Sequence, residues 1–189
     1  MIRELVLTTM DAGGQVHIAP LGLHVTGTGY IAAPFRPSRT LDNLQANPFA
    51  VANFTDDVRV IAGCLTGRRD WPTRPASKVK GAVLLAALAH AELEVERVED
   101  DPVRPRFHCR VVHEETHAPF RGFNRAKAAV VEAAILVSRL HMLPMEKIDA
   151  EIAYLSIAID KTAGAEEREA WQWLMHRVTG HKAKMTANP

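Results

Sequence analysis

Residues 34–40 read Pro-Phe-Arg-Pro-Ser-Arg-Thr, which brings two guanidinium groups and two hydroxyls into a single short turn. Ser38 has the residue type of a helix N-cap. Leu41 and Leu44 then share one face of a helix of about two turns that Asn47-Pro48 stops. A helix start carries roughly half a positive charge and N–H groups with no partner, so it favours an anion. Arginine adds planar, charge-assisted donors that match a phosphate better than a lysine point charge. Two readings of this turn stand. Either it is a phosphate cradle, or Ser38 only caps the helix while Arg36 and Arg39 sit in water.

The other reactive residue types form weaker patterns. His108, His113 and His117 lie near Cys109, Glu114 and Glu115, but His108 and His113 fall on opposite faces of a strand. The segment therefore reads as a polar strand end, and no metal site is expected. Residues 113–117 have the letters of His-Glu-x-x-His, but the segment reads as a strand and not as the helix a zincin needs, and no Gly-x-Ser-x-Gly occurs for an α/β-hydrolase. Cys64 and Cys109 read as buried small hydrophobes, too few for a disulfide framework. Arg68, Arg69, Arg74, Lys78 and Lys80 cluster in a run that reads as a solvated loop. With 23 Lys+Arg against 22 Asp+Glu, the net charge of +1 disfavours a nucleic-acid binder.

Elements that could position the turn are visible on both sides of it. Leu5–Thr9 reads as a strand, followed by turn chemistry at Asp11-Ala12-Gly13-Gly14. Gln15–Val25 reads as a second strand whose period slips at Pro20, a residue that suits an edge or a bulge. Tyr30–Ala33 and Ala50–Phe54 read as a third and a fourth, with Thr26–Gly29 a tight turn between the second and third. Residues 63–80 read as loop. Leu93–Glu96 and Phe107–His113 alternate as strands around an acidic turn at Glu99–Pro102. From Asn124 the apolar spacing becomes helical in three successive stretches, separated at Leu143-Pro144 and Ala163-Gly164-Ala165. The first contains an Arg125/Glu132/Arg139 stripe, and the last carries Trp171 and Trp173. The expected fold class is α+β, an antiparallel barrel or sandwich followed by a three-helix C-terminal part. The hydrophobic share is 47%, and no apolar run reaches the ~18 residues of a membrane span. The N-terminus lacks the apolar core of a signal peptide, so a cytoplasmic protein with no membrane partner is expected.

The stretch from Gly29 through Thr40, with Leu41-Asp42-Asn43-Leu44 and Asn47-Pro48-Phe49-Ala50-Val51, resembles the FMN-binding split-barrel superfamily. That superfamily includes pyridoxamine-phosphate oxidase and flavin reductase relatives. Over the whole chain the resemblance is to the DUF447 family, through Val16–Gly22, Asn53–Asp57 and the helical opening at Phe123-Asn124-Arg125-Ala126-Lys127. The resemblance implies an antiparallel split barrel over residues 1–120 with a helical domain over 121–189, and an FMN site in a homodimer with flavin near the subunit interface. It implies that Arg36, Ser38, Arg39 and Thr40 hold the phosphate, with Asn43 nearby. His17, Ala19 and Pro20 would lie along the isoalloxazine edge, and Asn53 and Thr55 would reach the ring or the ribityl chain. Pyridoxamine-phosphate oxidases carry a lysine where this chain has Thr40, which argues against their substrate-phosphate chemistry here. The expected activity is an oxidoreductase for a small molecule, the alternative being a noncatalytic flavin-binding or assembly module. No catalytic residue is assigned.

Overall fold

The computed structural model describes residues 1–187 and divides the chain into two compact units. Residues 1–56 and 70–120 form the first, and residues 57–69 join those from 121 onward in the second. The chain thus leaves the first unit at 57–69 and returns to it before residue 121.

The first unit is a closed six-stranded antiparallel barrel. Its strands are β1 (Ile2–Met10), β2 (Val16–Val25), β3 (Gly29–Ala32), β4 (Phe49–Phe54), β7 (Ala89–Glu99) and β8 (Arg106–Thr116), in the order β1-β2-β3-β8-β7-β4. Helix α1 (Arg39–Ala46) joins β3 to β4, and a small hairpin, β5 (Thr73–Pro75) with β6 (Ala82–Leu84), precedes β7. Alternation along each strand aims Leu5, Leu7, Leu23, Ala50, Ala52, Ala91, Leu93 and Phe107 into one core, to which α1 adds Leu41 and Leu44. Alanine at so many inward positions suits the narrow lumen of a small barrel.

Turn chemistry closes the strands as the residue types predict. Asp11 accepts from the Gln15 N–H through its side chain, and Gly14 takes a positive φ of 84°. Thr26 accepts from the Gly29 N–H. A Cβ on Gly29 would stand 2.1 Å from the Cys109 carbonyl oxygen, so only glycine lets β3 approach β8 there. Pro20 sits opposite Val6 with no break in the β1–β2 register. Instead, β2 and β3 pair only at His24↔Ile31 and Val25↔Tyr30, which leaves most of β2 as an open edge. On such an edge a missing donor costs no ladder hydrogen bond.

The second unit contains α2 (Val58–Leu65), α3 (Arg125–Ser138), α4 (Met145–Thr162) and α5 (Ala165–Ala187). Helix α2 falls where the sequence suggested no element and then loop. The three C-terminal helices occupy the three periodic stretches. Their core is Ala126, Ala129, Val130, Ala133, Ile148, Ile159, Ala170, Leu174 and Val178, packed with Val58 and Val60 of α2. Asn124 caps α3, accepting from the Ala126 and Lys127 N–H groups and donating to the Thr162 carbonyl. Arg59 of α2 pairs with Asp57, Glu166 and Glu169, and Arg68 lies 4.4 Å over the Trp173 ring. Among the described residues no helix is long and apolar enough to cross a membrane.

Candidate functional site

The turn between β3 and α1 is fixed from both sides. Ser38, in extended backbone, accepts from the Leu41 N–H at 3.3 Å and so caps α1. Thr40 and Asn43 are buried, and Asn43 donates from Nδ2 to the Thr9 hydroxyl at 3.0 Å, tying the helix to β1. On the other side the Arg104 guanidinium makes two bonds to the Ala33 carbonyl, at 2.9 and 2.7 Å, and lies 4.4 Å over the Phe35 ring. The Arg36 N–H donates to the Val103 carbonyl at 2.8 Å. Asp101 holds this clamp in shape by accepting from the Arg104 and Val103 N–H groups, which keep its carboxyl below the usual range. Sequence reasoning missed Arg104, because its partners lie some 70 residues earlier in the chain.

Ser38 caps the helix, while Arg36 and Arg39 stay about half exposed, each with one weak set of partners. Arg36 reaches Asp100 at 3.2 Å, and Arg39 reaches the Gln15 side-chain oxygen at 2.5 Å and Asp11 at 3.9 Å. His17 is buried and stands opposite Thr9, the acceptor of Asn43. Arg39, Gln15, Asn43, Thr9 and His17 therefore gather at one barrel end. Ala19 and Pro20 follow along β2, half-buried on its open edge.

Asn53 and Thr55 lie elsewhere. Asn53 is wholly buried, donating toward the Val6 and Val51 carbonyls and the Thr8 hydroxyl and accepting from the Leu84 N–H at 2.8 Å. Its amide fastens β1, β4 and β6 together. The Thr55 hydroxyl donates to the Ala86 carbonyl at 2.7 Å, and the residue lines an open cleft of about 740 Å³ with Arg3, Tyr30, Phe54, His90 and Glu115.

A buried polar chain borders this cleft. Glu92 is fully buried and accepts from the Ser77, Lys78 and Val79 N–H groups and the Ser77 hydroxyl, at 2.7–2.9 Å. Burial pushes its carboxyl up, but these donors, with His90, win and hold it at about 2. His90 Nε2 lies 3.3 Å from Glu92, and Nδ1 lies 2.8 Å from Nε2 of His117. Burial lowers the His90 pKa, so the ring is neutral at pH 7. His113 and Glu115 follow on the same face of β8. His108, grouped with these histidines in the sequence, contacts Arg97 and Glu99 instead. The strand period that separated His108 from His113 could also have united His113, Glu115 and His117. What no spacing supplied was the partner strand carrying His90 and Glu92.

The remaining singled-out residues are accounted for locally. Burial raises the Cys64 and Cys109 thiols to about 11 and about 12, so neither is a nucleophile at neutral pH. The basic run is dispersed: Arg69 donates to the Cys64 carbonyl, Arg74 faces Glu115 and His117, and Lys78 gives its N–H to Glu92. Arg125 and Glu132 line a groove of about 260 Å³ with Tyr154 and Ile157.

Comparison with known proteins matches residues 3–118 to the family described as "Protein of unknown function (DUF447) N-terminal domain". Residues 124–176 match its companion, "Protein of unknown function (DUF447)". No curated protein sequence matches. The FMN-bound DUF447 protein MM1853 from Methanosarcina mazei has a similar structure, with a TM-score of 0.81 at 18% identity over 93% of this chain and 94% of that one. BorF, the flavin reductase component of a bacterial two-component tryptophan halogenase, gives 0.53 at 13% identity over 63% and 82%. Flavoredoxin from Methanosarcina acetivorans gives 0.51 at 12% identity over 61% and 69%. These likenesses establish the flavin-type split-barrel fold of the first unit.

Proposed function

Because the chain belongs to the DUF447 family, we propose that it is an FMN-binding flavoprotein, an oxidoreductase for a small molecule whose flavin lies where two copies of the chain meet. The observation that carries this reading is the convergence of the capped α1 start with two half-exposed guanidinium groups. The chemistry of this donor set fits a phosphate monoester. The partners that Arg36 and Arg39 have now are exposed, and such pairs contribute about 0–1 kcal/mol. A dianionic phosphate offers charge-assisted bonds of about 1.5–3 kcal/mol each, so it displaces them.

In this reading Arg36, Ser38, Arg39 and Thr40 bind the phosphate, and Asn43 holds the helix that presents it. His17, Ala19 and Pro20 offer a backbone edge along which a flat ring can lie. Asn53 acts at one remove by fixing β4 against β1, and Thr55 borders the adjoining cleft. Bound FMN supplies the hydride and electron chemistry, and the protein supplies position and electrostatics. The substrate is a small molecule, and the reading puts the protein in the cytoplasm with neither nucleic acid nor membrane as a partner.

Titration of the purified protein with FMN, followed by flavin fluorescence, tests this. Saturation at one flavin per chain is expected, and no binding overturns the reading. The alternative is a carrier that holds flavin without turnover, for which the cradle is equally fitted. Bleaching of the bound flavin by NADH or NADPH under anaerobic conditions supports the enzyme, and a flavin inert to every donor supports the carrier.

A further inference from the structure

Glu92 is a buried carboxylate that four donors from residues 77–79 hold in place, and besides them it faces a single ring, His90. His90 Nε2 faces the Glu92 carboxylate at 3.3 Å, and a carboxylate that accepts from backbone N–H groups accepts from the ring as well, so Nε2 is the donor and Nδ1 points away toward His117. A carboxylate that fixes one nitrogen of a histidine so that the other is free to ligate is the usual outer shell of a metal centre.

The ligands such a centre needs are on the same ladder. His90 lies opposite Glu115 in the β7–β8 register, and His113 lies two residues earlier on the same face of β8. One ligating atom from each of His90, His113 and Glu115 falls within a mutual 4.8 Å, and His117 brings Nε2 to 2.8 Å from His90 Nδ1. Nitrogen ligands of a zinc-sized ion sit about 2.0–2.1 Å from it, so adjacent ones stand a little over 3 Å apart. His113, His117 and Glu115 are partly exposed and can adjust by rotamer, while His90 is locked. We propose that His90, His113 and Glu115, with His117 as the fourth ligand, form a site for a divalent transition-metal ion of the zinc class. Imidazole and carboxylate ligands suit that class better than calcium or magnesium. His90 and Glu115 also line the 740 Å³ cleft, so a molecule bound there lies beside the ion.

One group competes for the position. The Arg74 guanidinium stands 3.3 Å from His117 Nε2 and 3.5 Å from Glu115, where a cation is already favoured. It is half exposed on the three-residue strand β5, and an ion must displace it.

Chelator-stripped full-length protein titrated with Zn²⁺, with the thermal midpoint recorded at each addition, tests the site independently of flavin. The expected result is one equivalent bound per chain and a midpoint that rises with zinc. His113→Ala should weaken binding by at least about tenfold and abolish the rise while leaving the metal-free midpoint near that of the parent. Arg74→Ala should bind zinc more tightly. Absent binding, binding unchanged by His113→Ala, or an Arg74→Ala protein that binds no better than the parent each overturns the site.

Discussion

Arg39 meets two demands at once, since its guanidinium must stay free enough to reach a ligand while its backbone opens α1. Its partners, Gln15 and Asp11, meet the first demand by holding it weakly at the surface. Arg39→Ala should therefore weaken FMN by about 1.5–3 kcal/mol, roughly 10- to 150-fold in Kd, while the denaturation midpoint scarcely moves. Isothermal titration and urea melts on the same variant separate the two effects. Arg36→Ala should act in the same direction but less, because Pro37 restricts where that side chain can point. Glu92 poses the opposite case, a side chain whose ionisation serves the fold. Its folded pKa of about 2 lies below the ordinary 4.5, so the stability it adds is complete above 4.5 and lost as pH falls toward 2. A depression of that size is worth about 3 kcal/mol at neutral pH. The parent should lose that much more stability than Glu92→Gln between pH 5 and pH 2, as measured by urea unfolding across the range. Equal losses would mean that Glu92 is not the group responsible.

Helix α1 couples a stability device to a binding device, and a single substitution can pull them apart. Ser38→Asp keeps a good N-cap, so unfolding free energy should stay within about 0.5 kcal/mol of the parent. The new carboxylate faces the proposed phosphate, so FMN affinity should fall more than tenfold, whereas a turn that only caps a helix would show no such split. This element was legible in the sequence because its signals are local: a cap at Ser38, two leucines on one face, and Asn47-Pro48 as a stop. The long strands were legible for the same reason, through alternation and turn residues. Helix α2 was not. Val58–Leu65 is a short apolar run with several β-branched residues, and its helical state depends on packing against α3 and α5 and on Arg59 reaching Glu166 and Glu169. The β5–β6 hairpin was hidden likewise, since its anchors, Thr8, Asn53 and Glu92, lie on distant strands. The His90 cluster required knowing that β7 pairs with β8 through a register shift between Glu92 and Leu93.

At the scale of the molecule, the barrel is closed in topology but leaves one seam nearly unpaired. From Val16 to Leu23, β2 has β1 on one side and no strand on the other among the described residues. An open edge is a liability unless something covers it, and a second copy of the chain is one such cover. The same edge lies beside the proposed flavin position, so dimerisation and FMN binding should be thermodynamically linked. If each chain completes its partner's site, FMN tightens the dimer by the same factor by which the dimer tightens FMN. Light scattering on the eluting protein should give about twice the 20.8 kDa of one chain. Saturating FMN should then shift the dissociation of that dimer to lower concentration, and the apparent Kd for FMN should rise as the protein is diluted through the transition. A dimer indifferent to FMN would place the flavin within one chain and leave the β2 edge to be explained without it. A monomer that binds FMN equally at every dilution would remove the partner from the site altogether, with the α1 turn acting alone.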